Sequence, residues 1–206
     1  MEISVKADIA KATKELYRME RKQIPFAASQ ALNDTAWDAR RAVQIQLPRK
    51  LDRPTPWTIR GVRVKKSNKR KLAAYVGFIN STTGMPDPSR SYMKYQIHGG
   101  TRFPYSRAIK MPVNVKRNKF GNLTRKKVNQ LLANKKNFQA TIKGIPGIWQ
   151  RTGGRRNPGV KLLIAWEDKA QYRPRFPLRK IVTGVTASKF HRHFNRRLAA
   201  ALRTAR

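Results

Sequence analysis

The apolar positions Val5, Ile9, Ala12, Leu16 and Met19 alternate in steps of four and three, the spacing of one face of a helix. The pattern predicts an N-terminal helix within residues 1–24, ending between Arg21 and Ile24. Pro25 can open a second helix, because proline is tolerated in a first turn. The alanine-rich stretch from Pro25 to Leu47 then places Ala28, Leu32, Thr35, Ala39, Val43 and Leu47 on one stripe. Pro48 and the cluster Asp52-Arg53-Pro54-Thr55-Pro56 end it in an extended connector, since residues before proline are driven out of the helical region.

Beyond the connector the period changes from helical to alternating. Trp57 to Lys66 carries Thr58, Ile59, Val62 and Val64 among basic residues, and Leu72 to Asn80 alternates Leu72, Ala74, Val76 and Phe78 against their neighbours. Both read as strands, with Lys65 to Lys71 as the basic hairpin loop between them. Ser81 to Ser91 reads as a turn-rich loop, and Tyr92 to His98 as a short helix or strand ended by Gly99-Gly100. Between Thr101 and Ile142 the only pattern is a short helix around Leu123 to Lys136, carrying Val128, Leu131 and Leu132. Ile145 to Arg151 and Val160 to Glu167 read as strands, with Val160, Leu162, Ile164 and Trp166 on one face and Thr152 to Gly159 as a wide hairpin loop. Tyr172 to Pro177 is broken by prolines. A last helix is predicted over Thr186 to Thr204, with Phe190, Phe194, Leu198 and Leu202 in a seam and Arg192, Arg196, Arg197 and Arg203 mostly off it.

These elements predict an α+β class: N-terminal helices, an antiparallel sheet from Trp57 to Arg175 interrupted by a basic arm at 103–159, and a C-terminal amphipathic helix. The length and the 39% apolar content predict one domain over 1–206, with Phe190, Phe194, Leu198 and Leu202 buried on the sheet or across a subunit boundary.

Charge narrows the function classes. The chain holds 47 Lys and Arg against 10 Asp and Glu, a net charge of +37. Self-repulsion at that density disfavours a compact monomer and calls for a polyanion or an acidic protein surface nearby, most commonly nucleic acid. The two signs are also segregated: Glu2, Asp8, Glu15, Glu20, Asp34, Asp38, Asp52 and Asp87 come early, only Glu167 and Asp168 come late, and Pro88 to Trp166 has no acid. A solvated surface normally mixes signs. The candidate nucleic-acid-facing residues are Lys65, Lys66, Lys69, Arg70, Lys71, Lys116, Arg117, Lys119, Arg125, Lys126, Lys127, Lys135, Lys136, Arg155 and Arg156. No base-reading motif accompanies them, so the expected contact is to the backbone of double-stranded DNA, indifferent to sequence.

Candidate chemistry is sparse. There is no cysteine, which removes disulfides, thiolate nucleophiles and cysteine-ligated zinc. No apolar run approaches the roughly 18 to 20 residues of a membrane helix, and the N-terminus has charges where a signal peptide has its apolar core. Pro86-Asp87 with Glu167-Asp168-Lys169 imitates a metal-dependent nuclease, where carboxylates hold Mg²⁺ and a lysine supports the attacking water. The weightier alternative is a turn aspartate and a strand-end acidic pair neutralising arginines. Gly154 to Lys161 is similar to a phosphate-binding loop, but Val160 separates Gly159 from Lys161 and no Ser or Thr follows, so it reads as a hairpin loop. His191 and His193 fall on different faces of a helix, and His98 beside Gly99-Gly100 reads as a packing residue. Tyr92, Tyr95, Phe103, Tyr105, Tyr172 and Phe176, interleaved with basic residues such as Arg173 and Arg175, could stack bases, with core packing as the alternative. No cofactor, metal or small-molecule substrate is expected.

Finally, Pro25-Phe26-Ala27, Ala31-Leu32-Asn33-Asp34-Thr35-Ala36, Ala39-Arg40, Leu47-Pro48 and the connector Asp52 to Pro56, followed by Tyr92 to Gly100 with Thr101-Arg102, resemble the minor tail protein Z and tail-completion family of tailed bacteriophages. The resemblance covers roughly Ile24 to Arg102, and Tyr105 to Gly159 departs from it. It implies a virion structural protein at the head-tail junction, assembled in the host cytoplasm. It also implies a homo-oligomeric ring between the portal or its adaptor and the tail, facing the DNA channel without catalysis. A ribosomal or nucleoid-like nucleic-acid-binding protein and a nuclease are the other readings.

Overall fold

The computed structural model describes residues 5–80, 83–84, 86, 91–105 and 107–204, with the side chains of Tyr17 and of those from Lys22 onward. The elements are α1 (Val5–Lys50), α2 (Pro56–Arg60), β1 (Val62–Lys65), β2 (Tyr75–Phe78), α3 (Lys94–His98), β3 (Gly100–Arg102) and β4 (Ile109–Pro112). Then follow α4 (Lys127–Leu132), β5 (Asn137–Ile142), β6 (Ile145–Thr152), β7 (Gly159–Glu167), β8 (Ala170–Tyr172) and α5 (Leu178–Arg203). The class is α+β, with every strand pairing antiparallel. Contacts divide the chain into two compact units, Met1–Lys50 with Pro56–Lys94 and Phe176–Arg206, and Leu51–Thr55 with Tyr95–Arg175.

In the first unit the two N-terminal helices expected from the sequence are one, because Pro25 lies inside α1 rather than at the start of a new helix. Proline's own φ is helical, and what it forfeits is one backbone bond and room for the carbonyl four residues back. The alanines on its C-terminal side supply the propensity to continue. The buried stripe runs Ala27, Ala31, Thr35, Ala39, Val43 and Leu47, in steps of four, with Ser29 and Ala36 beside it. Ala28 and Leu32, expected on the stripe, are only half-buried. Steps of four overrun the 3.6-residue turn, so the stripe winds around α1 and serves two partners: α5 on one side and the β1–β2 hairpin on the other.

Trp57 to Arg60 is a helical turn and not the start of a strand: Pro56 opens α2, and the Gly61 amide donates to the Trp57 carbonyl at 2.8 Å. Gly61 admits Tyr92, whose hydroxyl occupies the place a Cβ would need. The β1–β2 register runs from Val62 opposite Phe78 to Lys65 opposite Tyr75, so β2 is shorter than the expected Leu72 to Asn80. Phe78 meets the rings of Tyr92 and Phe176 edge-on at 5.8 and 5.9 Å, and Trp57 lies 4.4 Å from Tyr92. Val43, Leu47, Val62, Phe78 and Phe176 are the largest fully buried side chains here, each stabilising the fold by roughly 1.5–3 kcal/mol.

α5 begins at Leu178, a full two turns before the expected Thr186, because Gly184 is tolerated within it. It packs on α1 and not on a sheet. Its buried residues are His193 and Ala201; Phe190, Phe194 and Leu198 are half-buried at the margin and Leu202 is exposed. The large seam residues are displaced because polar pairing, described below, occupies the centre of the contact.

The second unit holds two of the three sheets, where one continuous sheet was expected: β3 with β8, and the four-stranded β4-β7-β6-β5. The stretch that looked pattern-free contributes β3, β4 and β5. β5 and β6 turn at Lys143-Gly144, both at positive φ (51° and 76°), between paired Ile142 and Ile145, the backbone of a two-residue hairpin turn that matches strand twist. The register slips between Ile148 and Trp149, leaving Leu163 as an extra residue on β7. Leu163 and Ile164, neighbours that a regular strand would point to opposite faces, are therefore both in the buried cluster with Ile148. The expected face from Val160 to Trp166 is broken by that bulge, and Val160 is exposed. Val115, Leu123 and, from α4, Val128 and Leu131 cover the cluster; α4 itself is only Lys127–Leu132, inside the expected Leu123 to Lys136.

Candidate nucleic-acid interface

Asp34 and Asp38, the carboxylates among the described side chains of the first unit, are paired inside it. Asp34 on α1 accepts a fork of hydrogen bonds from Arg197, Nε at 2.7 Å and Nη2 at 2.9 Å, and a third from Arg196 at 3.0 Å. One turn on, Asp38 binds His193 Nε2 at 2.9 Å, Lys189 at 3.2 Å and Arg41 at 3.2 Å. Partner numbers fall on α5 as they rise on α1, so the helices run antiparallel. Hydrogen bonding from Arg197 holds the Asp34 carboxyl below its ordinary value. For Asp38, burial pushes the carboxyl up, and the bonds from His193 and Lys189 more than reverse it. His193 is therefore a structural partner of a carboxylate, while His191 is exposed on the other face.

The opposite flank of α1 carries an ordered basic loop. Ser67 is buried and ties the loop to the helix: its hydroxyl donates to the Ser29 carbonyl at 2.9 Å, its amide to Asn33 Oδ1 at 2.8 Å, and Asn33 Nδ2 returns to the Ser67 carbonyl at 3.3 Å. Asn68 then folds the tip, accepting from the amides of Arg70 and Lys71 at 3.0 and 2.7 Å, an Asx turn. Lys65, Lys66, Lys69, Arg70 and Lys71 are all exposed on this fixed frame. Two aromatic rings of α1 share the surface. Lys69 Nζ sits 4.9 Å from the Phe26 ring, and Arg40 and Lys66 sit 5.1 and 6.0 Å from the Trp37 ring. Phe26 and Trp37 are more than a third exposed, and neither is among the base-stacking candidates expected from the sequence. Their signal was legible, two bulky aromatics on one helix but off its apolar stripe.

The other candidates lie in the second unit, and all but the half-buried Lys127 are exposed. Lys116, Arg117 and Lys119 ride a loop closed by Asn118, whose side chain accepts from the amides of Phe120 and Asn122. Arg125, Lys126 and Lys127 open α4, and Lys135 and Lys136 follow it. The Lys136 carbonyl takes the Arg151 amide at 2.8 Å, which extends the β5–β6 ladder. Arg155 and Arg156 occupy the β6–β7 hairpin loop.

The chemical candidates separate cleanly. Asp87 lies outside the described residues; Glu167 ends β7 and Asp168 follows it, both exposed. Among the described residues no three His, Cys, Asp or Glu side chains are grouped to hold a metal ion. Gly154 to Lys161 spans a hairpin loop and the start of β7, not a strand-to-helix phosphate loop. His98 is exposed at the end of α3 and not packed as expected. Core packing accounts for Tyr92 and Phe176, and Tyr95 stacks on Tyr172 at 5.6 Å; Phe103 and Tyr105 stay exposed. Burial pushes the Tyr92 phenol up to about 12 while its hydroxyl donates to the Thr58 carbonyl at 3.0 Å. Among the described residues no helix is long and apolar enough to cross a membrane. No family model, no curated protein and no solved structure matches this chain.

Proposed function

We infer that the protein is a non-catalytic, ring-forming structural subunit of the head-tail junction of a tailed bacteriophage, positioned so that its basic loops meet the backbone of packaged DNA. One observation carries the DNA part. The carboxylates Asp34 and Asp38 are spent on α5, while the loop from Lys65 to Lys71 is held rigid by Ser67 and Asn68 with five cations outward. A fixed frame reduces the entropy lost on binding, and phosphate is the anion that a backbone-facing surface of this kind takes. The likeness of Ile24 to Arg102 to tail-completion proteins supports the location. A ring concentrates many copies of a +37 chain, and packaged DNA at its centre would offset their mutual repulsion.

Mass photometry of the purified protein, with and without a blunt duplex, tests this reading. Rings in the absence of DNA support the junction role. A monomer that coats DNA without forming rings favours the ribosomal or nucleoid-like alternative, and metal-dependent nicking favours a nuclease.

A further inference from the structure

The open end of the four-stranded sheet, where β6 turns into β7, carries a shallow, open hollow of about 450 Å³, within the size range of small-ligand sites. Phe138, Arg151, Thr152, Gly153, Arg155 and Val160 contribute to its lining, and no carboxylate does. Arg151 lays its guanidinium over the Phe138 ring, 4.5 Å from its centre, so cation and ring form one stack at the side of the hollow. Val160, opposite Arg151 in the β6–β7 register, is 47% exposed although it is a branched apolar residue in a strand. Gly153 sits at φ +76°, and a Cβ there would strike the Asn157 carbonyl oxygen, so the turn closes only with glycine; Gly154 leaves open space beside its backbone.

We propose that this hollow receives one unpaired nucleotide of a nucleic-acid strand, its phosphate against Arg151 and Arg155 and its base against Phe138 and Val160. Two guanidiniums without a carboxylate select an anion, and Arg matches phosphate with paired donors. The apolar surfaces select a planar group, for which base stacking on an aromatic is the common solution in single-strand binding. A base inside a duplex has both faces covered and cannot enter, so the pocket favours a frayed end or overhang. Lys135 and Lys136, joined to the same end of the sheet through the Arg151 amide, extend the basic track to the flanking phosphate. The inference rests on the reading that the chain binds nucleic acid, and it assigns to the second unit a task that duplex binding alone does not need.

The test compares, by fluorescence anisotropy, a blunt DNA duplex with the same duplex carrying a single-stranded thymidine overhang. Stacking of one base is expected to tighten binding of the overhang about tenfold. Electrostatics alone gives far less, since single strands release fewer counterions per phosphate than duplex. Phe138→Leu should lose that gain with blunt-duplex binding unchanged, and the double variant Arg151→Ala with Arg155→Ala should lose it while weakening the blunt duplex no more than removal of two charges elsewhere on the surface does. The double variant Arg125→Ala with Lys126→Ala, equal in charge removed, should keep the gain. An overhang that gives no gain to the wild-type protein overturns the pocket, and so does a gain that survives in the pocket variants. Failure of the wild-type protein to bind either DNA overturns the functional reading instead, and the two failures are distinct.

Discussion

Asp34→Asn is the substitution with the most definite consequence for the first unit. The carboxylate is 20% exposed and takes the Arg197 fork at 2.7 and 2.9 Å, while Arg196, 64% exposed, adds a single bond at 3.0 Å. Hydrogen bonds to charged groups contribute about 1.5–3 kcal/mol when sheltered. Arg197 is 39% exposed, which reduces the fork to about 1.5 kcal/mol, and the Arg196 contact is worth less than about 0.5 kcal/mol. Asp34→Asn is therefore expected to lose about 2 kcal/mol and lower Tm by roughly 4–8 °C, whereas Arg196→Ala should shift it little. Thermal melts followed by circular dichroism measure both, and Arg197→Ala closes a double-mutant cycle with a coupling near the value of the fork. The pH arm has a fixed sign. Asp34 and Asp38 titrate lower in the folded chain than the ordinary 3.8. Their stabilisation is then complete above that value and is lost as pH falls through the folded values. Wild-type protein should lose stability in that acid window more steeply than Asp34→Asn. An Asp34→Asn protein that melts with the wild type at neutral pH, or shares its acid profile, refutes the helix-helix account.

Three further outcomes follow from single contacts. Tyr92→Phe should cost about 1 kcal/mol by removing the hydrogen bond to the Thr58 carbonyl, and ultraviolet titration should show a tyrosine ionising only at about pH 12 in the wild type that is absent from Tyr92→Phe. Gly147→Ala places a methyl on the Ile164 carbonyl oxygen in the paired strand and should yield protein that fails to fold in the second unit, read as loss of its amide protection in hydrogen exchange. Plasmid incubated with the protein and Mg²⁺ or Mn²⁺ should stay supercoiled, and cleavage that disappears in Glu167→Ala would restore the nuclease.

Element type was readable in this chain where hydrophobic contrast was strong, and lost where packing rather than pattern decided. The helix after Pro25 was legible, but its buried face was not: with alanine on nearly every side, shifting the stripe from Ala28 and Leu32 to Ala27 and Ala31 changes the pattern hardly at all. The bulge at Leu163 is invisible to a period-two reading, because an extra residue looks like any other. Lys143-Gly144 between Ile142 and Ile145 was a turn signal that basic surroundings obscured. The seam at Phe190 and Phe194 was real as a pattern, the rings stacking on each other at 6.1 Å. Its burial was overestimated because Asp34 and Asp38, a hundred and fifty or more residues away in sequence, draw Arg197 and His193 to the helix contact instead. The basic loop at Lys65 to Lys71 was legible from charge alone, whereas the cations over Trp37 and Phe26 and the Phe138–Arg151 stack needed coordinates.

Binding of duplex DNA as a function of salt tests the central claim most directly. If about 6 to 10 phosphates are neutralised, affinity for a blunt duplex falls by about three to five decades between 50 and 200 mM salt, along a straight line in log–log form. Sequences of equal length bind alike, and charge removal at Lys69, Arg70 and Lys71 lowers the slope. Affinity that is flat in salt, or that depends strongly on one sequence, contradicts a surface built to meet the phosphate backbone.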